Sequence, residues 1–128
     1  MPILLDHLIL RVNDAAESVA FYSSVLGFTH EGEDGPFSVL RVHEGFTLQL
    51  APWSTKGGEH FAFAMTCAEF EDVFARLKER GIVYGDSFHT VGNNLGPGQE
   101  AGARGLGQSL YFFDPNKHLL EIRHYEGR

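Results

Sequence analysis

The 128-residue chain predicts an α+β fold built from two β-α-β-β-β modules. Three observations predict it. A strand pattern followed by a helix pattern occurs twice, and each helix pattern opens on a side-chain cap and closes on a glycine. The two occurrences are offset by 53 residues at His7 and His60 and by 54 at Gly27 and Gly81, so one insertion relates the halves.

Residues 3–12 are rich in Leu, Ile and Val and are broken only by Asp6, His7 and Arg11. That composition predicts a strand covered on both faces. Asp14 follows, with Glu17 three positions on, the spacing of a capping box. Val19, Tyr22, Val25 and Leu26 then recur at helical spacing, and Gly27 stands where a C-terminal cap belongs. The second half repeats the order. Residues 61–65 predict a strand, Thr66 and Glu69 a helix start, and Phe70, Val73, Phe74 and Leu77 a buried stripe ending at Gly81. Further strands are expected over 37–42 and 46–51 in the first half, and over 108–113 and 118–125 in the second. The modules span about 1–53 and 58–126 of one domain. Between Thr90 and Gln108 lie six glycines and Pro97, which exclude a helix or a central strand and suit a lid over a site.

Composition narrows the function. Seventeen acidic against ten basic residues give a net charge of −7, which disfavours phosphate backbones and anionic lipids as partners. No apolar run approaches the ~20 residues of a membrane span, and the start of the chain has no basic region of a signal peptide. A lone Cys67 forms no internal disulfide, so a reducing, cytoplasmic setting is expected.

Seven histidines are many for this length, and strand periodicity separates them. His60 shares a face with the small Ala62 and Ala64, opposite Phe61, Phe63 and Met65, which leaves space beside the imidazole. His7 shares a face with Leu5 and Ile9 in the same way. On the last strands, Thr47, Gln49 and Ala51 share one face, and Leu119, Glu121 and Arg123 share another. A carboxylate among Leu119, Leu120 and Ile122 is costly to bury unless a cation or a metal pairs with it. Two histidines and one carboxylate on neighbouring strands form a set that leaves metal positions open for substrate. The remaining histidines are weaker candidates. His30, His43 and His89 are expected near turns or strand ends facing solvent, His118 follows a turn, and His124 lies opposite Glu121.

Asp6-His7-Leu8, Phe21-Tyr22, Leu26-Gly27-Phe28, His60-Phe61-Ala62-Phe63 and Leu110-Tyr111-Phe112-Phe113-Asp114-Pro115 leading to Leu120-Glu121-Ile122 together resemble the vicinal oxygen chelate superfamily. That superfamily includes glyoxalases, extradiol dioxygenases, fosfomycin resistance enzymes and bleomycin-binding proteins. The resemblance covers nearly the whole chain. It implies sheets curled around a metal-binding cleft, with His7, His60 and Glu121 as ligands of one divalent ion (Fe2+, Mn2+, Zn2+, Ni2+ or Co2+) and Gln49 at a variable fourth position. It also implies a homodimer.

The resemblance is uneven among the members. Bleomycin-binding relatives lack the ligands, whereas this chain keeps them. Gln49 stands where glyoxalase I has a second glutamate, and an amide cannot act as a base. Ser109 and Tyr111 resemble the fosfomycin enzymes, but Arg104-Gly105-Leu106-Gly107-Gln108 replaces their potassium loop. The extradiol signature is matched at Gly102, Leu110-Tyr111, Asp114-Pro115 and Glu121. It is broken by Arg104 in place of histidine and by Lys117 in place of a turn glycine, where positive φ is easiest for glycine. The expectation is a metal-dependent enzyme acting on a small oxygenated substrate, with dioxygenase-like chemistry ahead of a glyoxalase-type lyase or isomerase. A protein that sequesters a small toxic ligand is the alternative. Tyr111 and Glu121 are the expected catalytic residues. Arg104, Gln49 and Ser109 are expected against substrate, with Arg104 suited to an anion.

Overall fold

The computed structural model describes residues 2–126. Its contacts divide the chain into two compact units, Met1–Gly57 and Gly58–Arg128. In the first, β1 (His7–Arg11) leads through α1 (Ala15–Val25) to β2 (Thr29–Asp34), β3 (Phe37–His43) and β4 (Phe46–Ala51). In the second, β5 (His60–Ala64) leads through α2 (Cys67–Glu79) to β6 (Gly98–Gly102), β7 (Gly105–Phe113) and β8 (Leu119–His124). Both units are β-α-β-β-β, as the repeat predicts.

Each unit holds one four-stranded mixed sheet, in the order β1-β4-β3-β2 or β5-β8-β7-β6. The first strand pairs parallel with the last, and the other pairings are antiparallel. The sheets are curled and open. Register shifts between His30 and Gly32 and between Arg41 and His43 bend the first of them.

The helices start where their caps predict. The Asp14 carboxylate accepts from the Glu17 N–H at 3.1 Å, and Thr66 with Glu69 completes a reciprocal capping box. Each such cap is worth about 1 kcal/mol. Gly27 and Gly81 end the helices in the left-handed region, with φ of 78° and 65°. α2 buries Phe70, Val73 and Leu77, whereas α1 buries Ser18, Tyr22 and Val25, so Val19 and Leu26 contribute less than their spacing suggests. Leu48 and Leu50 of β4, and Leu120 and Ile122 of β8, turn the opposite way from the polar faces and are buried. Alternation therefore divides each last strand into a core side and a side available for chemistry.

Three differences from the sequence reading have physical causes. The strand expected over 3–12 is shorter, and Ile3, Leu4 and Leu5 are exposed; β1 is a sheet edge with only β4 as hydrogen-bonded neighbour. β2 and β6 carry no apolar alternation and are drawn into the sheets by their partners β3 and β7. The glycine-rich segment is not a free loop. β6 pairs with the start of β7 from Gly102↔Gly105 to Gly98↔Ser109, while β8 joins β7 only from Gln108 onward. Residues 105–107 thus belong to a two-stranded hairpin, which glycines tolerate, rather than to a central strand. Among the described residues, no helix is long and apolar enough to cross a membrane.

Candidate functional site

The second unit gathers its polar residues by register. Ala62 lies opposite Glu121 on one side and Tyr111 lies opposite it on the other, while Ser109 and Ala64 flank Arg123. Residues aligned across neighbouring strands share a face, so His60, Glu121, Arg123, Ser109 and Tyr111 face the same way. The small Ala62 and Ala64 leave room for the longer side chains. His60 Nε2 stands 3.3 Å from Glu121 Oε1, and the imidazole is about half exposed while the carboxylate is buried.

Glu121 is held on its other oxygen. Arg123 Nη1 forms an ion pair with Oε2, and Ser109 Oγ donates to the same atom at 3.1 Å. The buried cost anticipated from sequence is thus met by a cation two residues along the same strand. Removing one partner of a buried pair typically costs about 3–5 kcal/mol, because the other charge is left uncompensated. Tyr111 is buried, and its phenol is pushed up to about 12, first by burial and then by the Glu121 charge. It keeps its proton at neutral pH and can donate a hydrogen bond. It cannot serve as a base there.

The first unit repeats the register. His7 lies opposite Thr47 and Ile9 opposite Gln49, so Gln49 is the counterpart of Glu121. His7 Nδ1 donates to the Asp6 carboxylate at 2.8 Å, so Nε2 is the ring nitrogen left for a metal. An imidazole oriented by a carboxylate on its other nitrogen is the usual arrangement of a metal-binding histidine.

The other predicted residues separate clearly. Arg104 lies exposed at the β6–β7 turn, its guanidinium 4.3 Å over the Tyr125 ring and its N–H donating to the Tyr125 hydroxyl at 3.4 Å. His30, His43 and His89 are exposed, as expected. His124 packs edge-on against Phe70 at 4.8 Å. His118 is buried, and its Nδ1 accepts from the Glu59 N–H at 3.2 Å, which pins the backbone immediately before His60. Sequence reasoning missed that support, although a histidine directly after the Asp-Pro turn offered the signal. It also missed Phe88, exposed on the segment before β6 with its ring 6.4 Å from that of Tyr111.

The donor chemistry fits a divalent ion in part. Two ligands at right angles with bonds of about 2.1 Å stand about 3 Å apart, close to the spacing of His60 Nε2 and Glu121 Oε1. The structure brings these two together. Among the described residues it groups no three His, Cys, Asp or Glu side chains as a metal site would.

Known proteins share this architecture. The chain is 26% identical to the glutathione transferase FosA of Serratia marcescens, over 92% of its own length and 78% of the relative's. The solved structure of the oxidase ChaP-H2 superposes with a TM-score of 0.80 at 28% identity, covering 97% of this chain and 94% of the other. The fold is also that of the fosfomycin resistance protein FosX from Listeria monocytogenes, solved with Mn(II) and a dihydroxypropylphosphonic acid. That match has a TM-score of 0.70 at 19% identity over 97% and 93% of the two chains. The family model described as Glyoxalase/Bleomycin resistance protein/Dioxygenase superfamily matches residues 4–122, and the chain belongs to that superfamily.

Proposed function

We propose that the protein is a divalent-metal-dependent enzyme of the vicinal oxygen chelate type acting on a small oxygenated substrate, with oxidative, dioxygenase-like chemistry. The observation that carries this reading is the Glu121 carboxylate. One oxygen is engaged by Arg123 and Ser109, and the other is turned to His60 Nε2 at 3.3 Å. Glu121 Oε1, His60 Nε2 and His7 Nε2 are the donors in this reading, and Gln49 stands at the variable fourth position. The likeness to ChaP-H2, an oxidase at 28% identity, supports the oxidative choice. The chain acts as one domain of two modules and as a homodimer.

A bound divalent ion would supply Lewis-acid polarisation of adjacent substrate oxygens. The chain's own groups do the rest. Tyr111, protonated at neutral pH, donates a hydrogen bond to a substrate oxygen. Arg104 attracts a substrate anion at the hairpin turn. Ser109 and Arg123 hold the Glu121 carboxylate in place.

The similarity to FosA favours a second reading, group transfer to or sequestration of a small ligand. Metal content of protein purified without added metal, compared with His7→Ala and Glu121→Ala, tests the common part. Wild type should retain a divalent ion that both variants lose, and equal content in all three overturns the reading. Iron(II)-dependent oxygen uptake with catechols supports the oxidative choice. Thiol conjugation without oxygen uptake replaces it with transfer, and chelator-insensitive ligand binding without turnover replaces it with sequestration.

A further inference from the structure

We propose that Arg123 is the positioning residue of the Glu121 donor: by taking Oε2 through one nitrogen only, it leaves Oε1 as the oxygen presented beside His60. The inference rests on the metal-dependent reading above and adds to it a residue outside the ligand set.

Arg123 is buried, and its contacts leave it little freedom. Nη1 donates to Glu121 Oε2 and to the Ala101 carbonyl at 3.3 Å, and Nη2 donates to the Glu100 carbonyl at 2.9 Å. The guanidinium carbon sits 4.9 Å over the Tyr125 ring. An arginine facing a carboxylate commonly takes both oxygens with two parallel N–H donors. Here that option is declined: Nε is buried without a hydrogen-bond partner, and the rest of the fork is spent on β6 carbonyls. Ser109 donates to the same Oε2, so two side chains converge on one oxygen. The result is a carboxylate whose rotation is fixed and whose other oxygen is kept for a one-oxygen contact.

The same side chain anchors the edge strand. Through Glu100 and Ala101 it ties β6 to the last strand, and β6 leads into the turn that carries Arg104. A change at Arg123 should therefore alter two things together, the presentation of Glu121 and the order of the hairpin.

Cobalt(II) titration of the metal-stripped full chain tests this, read by calorimetry and by the visible absorption of the bound ion. Arg123→Gln should bind cobalt at least about tenfold more weakly than wild type, the scale on which orienting partners affect metal sites, with an altered absorption band. Arg123→Lys should recover part of the affinity, since an ammonium restores a donor to Oε2 but not the fork to β6. A merely structural role would lower thermal stability and leave the band unchanged. Wild-type affinity and spectrum in both variants overturn the proposal while leaving the function reading intact, provided Glu121→Gln loses the metal. Absence of cobalt binding in wild type overturns both. Should Arg123→Gln fail to fold, Arg123→Lys and Gly102→Ala, which displaces the guanidinium without removing it, decide the matter by the same two readouts.

Discussion

Gly102 and Arg123 compete for one volume: a Cβ on the glycine would stand 2.4 Å from the arginine Cζ and 2.6 Å from its Nη2. The guanidinium cannot swing aside freely, because Glu121, Glu100 and Ala101 hold its nitrogens. Gly102→Ala is expected to cost about 1–3 kcal/mol, the usual penalty of forcing atoms into a filled site. A urea unfolding curve with a lowered midpoint and unchanged slope checks it.

A second prediction concerns Lys117. It adopts φ of +68° in the turn between β7 and β8, where Asp114 Oδ1 accepts from the N–H groups of Asn116 and His118 at 2.8 and 2.9 Å. Left-handed backbone costs a residue with a Cβ about 1–2 kcal/mol, part of which glycine returns through its greater freedom when unfolded. Lys117→Gly should therefore stabilise by about 0.5–1 kcal/mol, visible as a thermal midpoint a few degrees higher. A lower midpoint would show that the turn is not strained.

What could be read from sequence depended on what fixes each element. The helices announce themselves through Asp14, Thr66, Gly27 and Gly81, and the core strands through the alternation of Leu48 and Leu50 or Leu120 and Ile122. β2 and β6 do not, because Thr-His-Glu-Gly-Glu-Asp and Gly-Gln-Glu-Ala-Gly carry no apolar period; their pairing with β3 and β7 is a tertiary event. The same holds at the site. Placing Glu121 and Arg123 on one face of a strand was possible from a period of two, and either a cation or a metal could have met the carboxylate. That Arg123 engages Oε2 alone depends on the carbonyls of β6, a strand the sequence does not reveal.

The segment before β6 offers a pH prediction. Asp86 accepts from Thr90 Oγ1 at 2.6 Å and from Asn93 Nδ2 at 3.0 Å, and these bonds, Thr90's first, hold its carboxyl below the ordinary value. A depressed folded value means the contribution is complete above the unfolded value of 3.8 and is lost as pH falls through the folded one. Amide signals of residues 87–93 should stay constant down to about pH 4 and then shift together. In Asp86→Asn that acid transition should vanish, and its persistence would assign it to another group.

The tyrosines should ionise in a set order. Burial and the Glu121 charge push Tyr111 up to about 12. For Tyr125, burial would raise the phenol, but the Arg104 N–H and the Arg123 charge outweigh it and lower the value. With the four tyrosines labelled at Cζ, carbon NMR of the metal-free protein near pH 10.5 should show Tyr125 largely ionised and Tyr111 still neutral. Ionisation of Tyr111 at or below the ordinary tyrosine value would contradict its proposed role as a proton-holding donor.

β2 has a consequence for handling the protein in acid. It forms one outer edge of the first sheet, and its Glu31, Glu33 and Asp34 are exposed along the row of backbone groups that another strand could join. Carboxylates there discourage such joining only while they are charged. The hydroxyl of Ser38 and then the ring of His30 hold the Glu33 carboxyl below its ordinary value. Below the carboxylate range the guard is lost, and the same folded sheet becomes a template for adding strands of other molecules. Acid elution or storage is therefore where this chain should begin to aggregate, before its core has loosened.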